Sequence, residues 1–146
     1  MNKLIVIKGD PNAGKTTASR YLLESLLLMG ANLIKYKSLN SSPSTQFKGD
    51  FEAEVERARL KLAICSRGDE LVWVLDNIKT YQHCDIVIVT SRNYATFDNK
   101  IANAISQYGT PNCILEVVPK VLNAGMSLEK QYMDLADFVR NIVQTL

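Results

Sequence analysis

One segment near the start of the chain has residue types and spacing suited to binding phosphate, Gly9-Asp10-Pro11-Asn12-Ala13-Gly14-Lys15-Thr16. Glycines let a backbone curl around a phosphate without a Cβ clash, so that consecutive N–H groups can point at it. A helix that begins at Lys15 would add the positive end of its dipole. We therefore predict a phosphate-binding loop at residues 9–16.

Three side chains at the end of this loop have predicted roles. Lys15 should reach the β- and γ-phosphates of a nucleoside triphosphate as a mobile point charge. The Thr16 hydroxyl should complete the ligand shell of Mg²⁺, and Thr17 should contact the α-phosphate. Because we expect the Lys15 ammonium to contact ligand and to need no protein partner, Lys15→Ala should remove triphosphate affinity and barely change stability.

Two further charged residues follow apolar runs that predict strands. Asp69, in Ser66-Arg67-Gly68-Asp69, could hold the magnesium ion through water, and both Ser66 and Asp69 equally suit the cap of the next helix. Arg92, in Thr90-Ser91-Arg92-Asn93, could stabilise charge on a transferred phosphoryl group, and is equally consistent with an ordinary exposed arginine. We predict that Lys15, Asp69 and Arg92 form the catalytic set.

Asp76 is the alternative metal ligand. The run Leu71–Leu75 followed by Asp76 resembles an apolar strand that ends in an acid. That interpretation leaves fewer residues before Asp85 than the roughly 10 to 12 that a parallel crossover requires. If residues 69–81 are helical instead, Asp76 lies about two turns from Asp69 and toward the opposite edge of the sheet. We therefore predict Thr16 and Asp69 as the metal ligands.

The cysteines and the histidine show no catalytic or metal-ligand spacing. Cys65, Cys84 and Cys113 lie far apart, in or beside apolar stretches, so we expect buried, reduced thiols. His83 is the only histidine and falls at a helix-to-strand junction, away from the predicted loop. We expect neither a catalytic histidine nor a His/Cys metal cluster.

The elements that must position these residues alternate along the chain. Apolar β-branched runs predict strands, and apolar residues at helical spacing predict helices. The predicted strands cover residues 4–7, 32–37, 51–56, 60–65, 85–90 and 113–118, and the predicted helices cover residues 15–29, 69–81, 97–105 and 128–146.

This alternation implies parallel crossovers. We predict one α/β domain over residues 1–146, with three α/β/α layers and a mainly parallel sheet of about five strands plus one antiparallel hairpin strand. Ligands bind beyond the carboxyl ends of parallel strands. The segments expected to share that edge are residues 8–17, 38–50, 66–70, 90–94 and 119–125. The segment between Ser38 and Gly49 lacks apolar periodicity, and we expect a mobile loop there that closes over a substrate.

At Gly9–Thr16 the chain resembles the P-loop NTPase superfamily, closely over the first strand, loop and helix and only generally over the remaining topology. Among its members it looks most like the small nucleoside and nucleotide kinases. The resemblance implies binding of ATP, or another nucleoside triphosphate, with Mg²⁺. It also implies phosphoryl transfer or hydrolysis at the γ-phosphate, with a small-molecule acceptor that enters near residues 38–50.

Two departures from the family pattern define an alternative function. Small kinases of this type usually carry an arginine-rich lid, whereas the segment after the strand at residues 85–90 has only Arg92 and Lys100. The superfamily also expects an aspartate after a second apolar strand, and here Ser66 holds that position. Both departures favour a nucleotide-binding regulatory or assembly protein that hydrolyses slowly or not at all.

The composition limits the partners. The chain has 146 residues, of which 47% are hydrophobic, and this size can support a core without disulfides. A net charge of +2 is too small to predict a nucleic-acid or membrane surface, and it indicates no oligomeric state. Only Leu4–Ile7 form an apolar run near the start, shorter than the core of a secretory signal. We expect a cytoplasmic protein.

Overall fold

The structure is a computed structural model that describes residues 1–10, 13–39, 49–109, 112–117 and 127–146. Strands and helices alternate through these ranges. They are β1 (Lys3–Lys8), α1 (Lys15–Leu28), β2 (Asn32–Ser38), β3 (Phe51–Arg57), β4 (Leu60–Cys65), α2 (Leu71–Thr80), β5 (Ile86–Ser91), α3 (Ala95–Ser106), β6 (Asn112–Val117) and α4 (Leu128–Thr145).

The strands form one mixed sheet in the order β2-β3-β4-β5-β1-β6. Strand β1 pairs in parallel with β5 and β6, and β4 pairs in parallel with β5. Strand β3 is antiparallel to both of its neighbours, β2 and β4. Five strands of this sheet therefore run in one direction and β3 runs in the other. The predicted α/β class, with a mainly parallel sheet and one antiparallel hairpin strand, is confirmed.

Buried apolar side chains cover both faces of the sheet. On one face, helices α1 and α4 pack on alternate residues of the strands, including Ile5, Ile7 and Ile64. On the other face, helices α2 and α3 pack on the intervening residues, including Leu4, Val6 and Val87. This alternation follows from the two-residue side-chain period of a strand. The apolar runs of β1 and β5 are buried on both faces because helices lie on both sides of them.

The β3–β4 hairpin has an unusual turn. Arg57 pairs with Leu60, so Ala58 and Arg59 are the two residues of the connection. Both have left-handed backbone conformations, with φ of 51° and 67°. Two-residue hairpin turns with positive φ at both positions match the twist of the strands, but they favour asparagine and glycine. The sheet geometry therefore holds two ordinary side chains in a costly conformation.

The structure describes part of the edge at the carboxyl ends of the parallel strands, which we call the binding edge because ligand binding is predicted there. Residues 40–48 of the predicted loop and all of residues 119–125 lie outside the described residues, and so do Pro11 and Asn12. The two ends of the 38–50 segment are joined, because the Leu39 N–H donates to the Asp50 carbonyl at 2.9 Å. The segment thus begins and ends as a continuation of the β2–β3 pair.

Candidate functional site

The loop between β1 and α1, which we call the β1–α1 loop, contains two glycines. Each of them avoids a side chain for a different physical reason. Gly14 has a φ of 107° and is the residue directly before α1, a conformation that side chains rarely adopt. A Cβ on Gly9 would lie 3.2 Å from the Cβ of Ala13 and 3.3 Å from Cγ of Lys15. Gly9 is therefore packed closely against Ala13 and the base of the Lys15 side chain.

The Lys15 ammonium lies inside this loop. Its Nζ donates to the carbonyl oxygens of Gly9 at 2.8 Å and Asp10 at 3.0 Å, and it lies 3.4 Å from Oδ1 of Asp69. Lys15 is only 6% exposed. The expectation that Lys15 needs no protein partner is wrong, because two backbone carbonyls and a carboxylate hold its charge at the mouth of the loop.

The Thr16 hydroxyl is held by an acid that sequence analysis did not single out. Thr16 Oγ1 donates to Oδ1 of Asp50 at 3.0 Å, and Ser66 Oγ donates to the same oxygen at 3.1 Å. Ser66 Oγ also accepts from the Phe51 N–H at 2.9 Å, which ties the end of β4 to the start of β3. Asp50 lies at the binding edge because β3 is antiparallel, so that its first residue meets the last residues of the parallel strands.

Thr17 and Asp10 complete the described part of the loop. Both residues are exposed. The Asp10 carbonyl accepts from the Ala13 N–H at 3.1 Å, which closes a turn before α1. Thr17 therefore lies on the open side of the first turn of α1, where its predicted contact with an α-phosphate stays a prediction.

Asp69 and Arg92 lie together beside Lys15. Oδ1 of Asp69 is 3.8 Å from Nε of Arg92, and the Asp69 side chain is 52% exposed. Nε of Arg92 is buried and has no hydrogen-bond partner among the described residues. Helix α2 begins after Glu70, which makes no side-chain cap. The capping interpretation of Asp69 is thus not supported, and the predicted group of Lys15, Asp69 and Arg92 does come together.

A glycine fixes the spacing between the Asp69 and Arg92 segments. A Cβ on Gly68 would overlap the backbone carbonyl of Thr90 at the end of β5. The Thr90 hydroxyl donates to the Ser66 carbonyl at 2.7 Å, one strand away. The ends of β4 and β5 are therefore packed backbone to backbone, with Asp69 and Arg92 directly after the contact.

The interpretation of Leu71–Leu75 as a metal-binding strand is wrong. These residues form the first half of α2, in which Val74 and Ile78 are buried against the sheet and Asp76 is exposed. Apolar residues at helical spacing explain the run better than a strand does. Asp76 is therefore remote from the residues that surround Lys15.

A second polar cluster lies away from this edge. Nε2 of His83 is 3.3 Å from both carboxylate oxygens of Glu54, and Cys84 is adjacent. Sequence spacing indicated no group of this kind, but the sheet brings Glu54 of β3 to the turn before β5 and so beside His83 and Cys84. Sequence spacing could not reveal it, since β4 and α2 lie between them.

Cys65 and Cys84 are buried free thiols, as expected, whereas the side chain of Cys113 lies outside the described part of the chain. Burial is the main cause that raises the pKa of Cys84 to about 11, and the Glu54 carboxylate adds to it. Burial likewise raises the pKa of Cys65 well above its ordinary value. Both thiols are protonated at neutral pH, so neither is a ready nucleophile.

Comparison with known proteins adds no relative: no protein-family model, no curated protein and no solved structure matches this chain. Within the described ranges, no helix combines the length and the apolar character that a membrane crossing requires. A functional assignment therefore has to rest on the chemistry of the side chains at the binding edge.

Proposed function

We propose that this chain is a P-loop nucleotide-binding protein with three α/β/α layers, which binds ATP or another nucleoside triphosphate together with Mg²⁺. The proposed reaction is kinase-like transfer of the γ-phosphoryl group to a small-molecule acceptor, or its hydrolysis. One observation carries the proposal: a tight strand–loop–helix turn directs the buried Lys15 ammonium to its mouth, with Gly14 left-handed at the helix start.

The Lys15 site suits a polyanion. Its acceptors are two neutral carbonyls and one half-exposed carboxylate, which is shared with Arg92. Two cations therefore face a single acid. Phosphate oxygens accept stronger, charge-assisted hydrogen bonds than neutral carbonyls do. A triphosphate at the start of α1 would also receive the helix dipole and the N–H groups of its first turn.

Arg92 supports a ligand at the same place. A buried donor without a partner costs free energy, so such groups in folded proteins are usually explained by a missing partner. Nε of Arg92 is such a donor, and it lies beside the acid that faces Lys15. A phosphoryl oxygen near Asp69 would satisfy it, which fits the proposed role of Arg92 in stabilising transferred charge.

Thr16, Asp50 and Ser66 fit a magnesium ion. Mg²⁺ prefers oxygen ligands and is usually held by one or two carboxylates, waters and phosphates. Asp50 Oδ1 receives both hydroxyls, so the three oxygens converge beside the start of α1. Bound Mg²⁺ would offset the negative charge of the phosphates. We propose Thr16 and Asp50 as its nearest protein ligands, with Asp69 the acid that could reach it through water.

This arrangement also shows which acid could replace the aspartate that the family pattern expects after β4. Ser66 cannot supply a negative charge, but it holds the Asp50 carboxylate at the neighbouring strand end. The alternative function is that of a regulatory or assembly protein that hydrolyses slowly or not at all. Two features favour it: Ser66 in place of the expected aspartate, and the ion pairs of Asp69 with Lys15 and Arg92. An acid in that state is a poor acceptor for a proton from an attacking nucleophile.

Calorimetric titration with ATP, GTP and ADP, with and without Mg²⁺, tests the binding proposal. Lys15→Met removes the charge and keeps most of the stem, and Lys79→Met is the matched control on an exposed position of α2. We expect Lys79→Met to bind ATP as the parent does, and Lys15→Met to bind it at least about tenfold more weakly. Equal ATP affinity in Lys15→Met would refute the assignment. A phosphate-release assay with candidate acceptors then separates turnover from binding alone.

A further inference from the structure

Glu54, His83 and Cys84 present three different donor atoms to one point. The carboxylate oxygen, the imidazole nitrogen and the thiol sulfur all lie within 4.8 Å of one another. The cluster joins the middle of β3 to the turn that follows α2, so it shares no residue with the group around Lys15 and Thr16.

The cluster is built on rigid backbone on both sides. Glu54 lies in the β3 ladder, in register with Lys35 of β2 and Ala63 of β4. The Cys84 N–H donates to the Tyr81 carbonyl at 2.9 Å, which fixes the turn that carries the thiol. Two ligands are therefore preorganised without a bound ion, and only the His83 ring is free to adjust.

The cluster is open to solvent on the side of His83. Cys84 is fully buried and the Glu54 side chain is 11% exposed, whereas the His83 side chain is 53% exposed. An ion could therefore reach the thiol and the carboxylate by displacing the His83 ring, which would then complete the set. The exposed side leaves a fourth position for water.

The Glu54 carboxylate is largely buried and has one partner within ion-pair distance among the described residues, His83. Glu52 adds a second carboxylate nearby, which accepts from the Tyr81 hydroxyl at 2.7 Å. The Lys35 ammonium lies over the Tyr81 ring, and the positive charge of Lys61 opposes the rise that burial causes in the pKa of the Cys84 thiol. A cation bound between Glu54 and Cys84 would give this carboxylate a direct positive partner.

The donor set selects the kind of ion. Hard cations such as Mg²⁺ and Ca²⁺ take oxygen ligands, whereas thiolate and imidazole suit borderline transition metals. Sulfur, nitrogen and carboxylate oxygen together are ligands that Zn²⁺ accepts in tetrahedral sites, with three protein groups and one open position. We propose that Glu54, His83 and Cys84 form a binding site for Zn²⁺ or a similar divalent transition-metal ion.

The sole histidine gives a direct readout. Metal-depleted protein without an affinity tag is titrated with Zn²⁺ while the imidazole resonances of His83 are followed by ¹H–¹⁵N NMR. We expect one equivalent of Zn²⁺ to shift Nε2, and Co²⁺ in its place to give a thiolate-to-cobalt charge-transfer band. Excess Mg²⁺ should displace neither ion. Unshifted imidazole resonances at saturating Zn²⁺ would overturn the proposal.

Variants assign the ligands. His83→Gln changes a half-exposed side chain, and we expect it to fold and to weaken Zn²⁺ binding on the order of 100-fold. Cys84→Ser should remove the cobalt band, whereas Cys65→Ala, at a buried cysteine outside the cluster, should keep it. Parent-like Zn²⁺ affinity in His83→Gln would overturn the site even if Cys84→Ser fails to fold. ATP binding is measured separately, so either proposal can fail alone.

Discussion

The Lys15 side chain has a structural role in the ligand-free protein. Its Nζ bridges the carbonyls of Gly9 and Asp10, so the ammonium holds the β1–α1 loop closed around itself. A phosphate ligand would have to replace these bonds rather than find a free charge. Under the proposed function, binding would exchange one satisfied network for another, and its strength would depend on how much better the phosphate oxygens accept these hydrogen bonds.

We expect Lys15→Met and Lys15→Ala to differ in stability but not in ligand binding. Loss of charge-assisted bonds should lower ATP affinity by roughly 10- to 100-fold or more in both variants. Lys15→Ala also removes the stem that packs on Gly9, and we expect it to lower the free energy of unfolding by about 1–2 kcal/mol more. Calorimetry and urea unfolding measure the two effects. Equal stability of the variants would contradict the packing role.

The metal ligand can be identified by removing one carboxylate charge at a time. Asp50→Asn should weaken magnesium-dependent nucleotide binding by on the order of tenfold, because Asp50 is the acid in contact with Thr16. Asp69→Asn should have a smaller effect on the magnesium dependence, through water. Asp76→Asn, at an exposed position of α2, is the control and should change nothing. Loss of magnesium dependence in Asp76→Asn alone would contradict the site.

The site was predictable where it is local in sequence and not elsewhere. Gly14 and Lys15 belong to one continuous motif, and the predicted strand before it and helix after it are confirmed. Asp50 was not predicted as a ligand because its place depends on an antiparallel strand that reverses which end faces the ligand. The Glu54 cluster was missed for a similar reason, since strand pairing brings together residues that no sequence spacing connects.

At the scale of elements, the β3–β4 turn stores backbone strain. Ala58 and Arg59 adopt left-handed conformations that cost about 1–2 kcal/mol for ordinary side chains. We expect Ala58→Asn and Arg59→Gly each to raise the free energy of unfolding by about 1 kcal/mol, because both residues tolerate positive φ. Arg59→Lys keeps the penalty and serves as the control. Chemical unfolding that finds Arg59→Gly no more stable than Arg59→Lys would contradict this turn geometry.

Gly68 and Gly109 test two separate costs of adding a methyl group. Gly68→Ala forces a Cβ into the Thr90 backbone, so we expect a loss of about 3 kcal/mol or more in the free energy of unfolding. Gly109 has a φ of 88°, and no atom of the described residues lies within 4 Å of its ideal Cβ. Gly109→Ala should therefore cost only the backbone term of about 1 kcal/mol. Thermal unfolding compares them, and a Gly68→Ala variant as stable as Gly109→Ala would contradict the close packing.

The elements themselves were largely predictable from apolar periodicity. Every predicted strand and helix has a counterpart in the described residues, with ends that differ by a few residues. Helix α2 shows why ends are harder to predict. It begins after Glu70, whose carbonyl accepts from the N–H groups of Trp73 and Val74, and no side-chain cap marks the position. A periodic pattern identifies the buried face of a helix, but not which turn is its first.

At the scale of the molecule, the sheet order predicts which strands protect their backbone amides best from hydrogen exchange. Strands β1 and β5 lie between other strands, and their apolar residues are buried, whereas β2 ends the sheet and most of its residues are exposed. We expect the amides of β1 and β5 to exchange with solvent only by global unfolding. For the amides of β2, the free energy of the opening that permits exchange should be lower than that of global unfolding by about 2 kcal/mol or more. Native-state hydrogen exchange measures this, and equal protection of β2 and β1 would contradict the order.

The order of the strands was not predictable from the sequence. Chain order alone favours neighbours in sequence, yet β1 lies between β5 and β6 in the sheet. To predict this insertion, one must know which faces of the sheet α1 and α2 cover. Packing between residues that are distant in sequence decides which faces these are. The same insertion brings the end of β1, and with it Lys15, beside the pair of Asp69 and Arg92, so part of the candidate site depends on a feature that the sequence left open.

The contact of Gly68 with Thr90 also makes a stiff mechanical joint between two strand ends. Backbone lies against backbone there, and the Thr90 hydroxyl holds Ser66, so neither segment can shift without pushing the other. Asp69 and Arg92 follow this joint directly, so we expect their backbones to move together. A force applied to either charge is thereby transmitted to both, and from the end of β5 into the middle of the sheet.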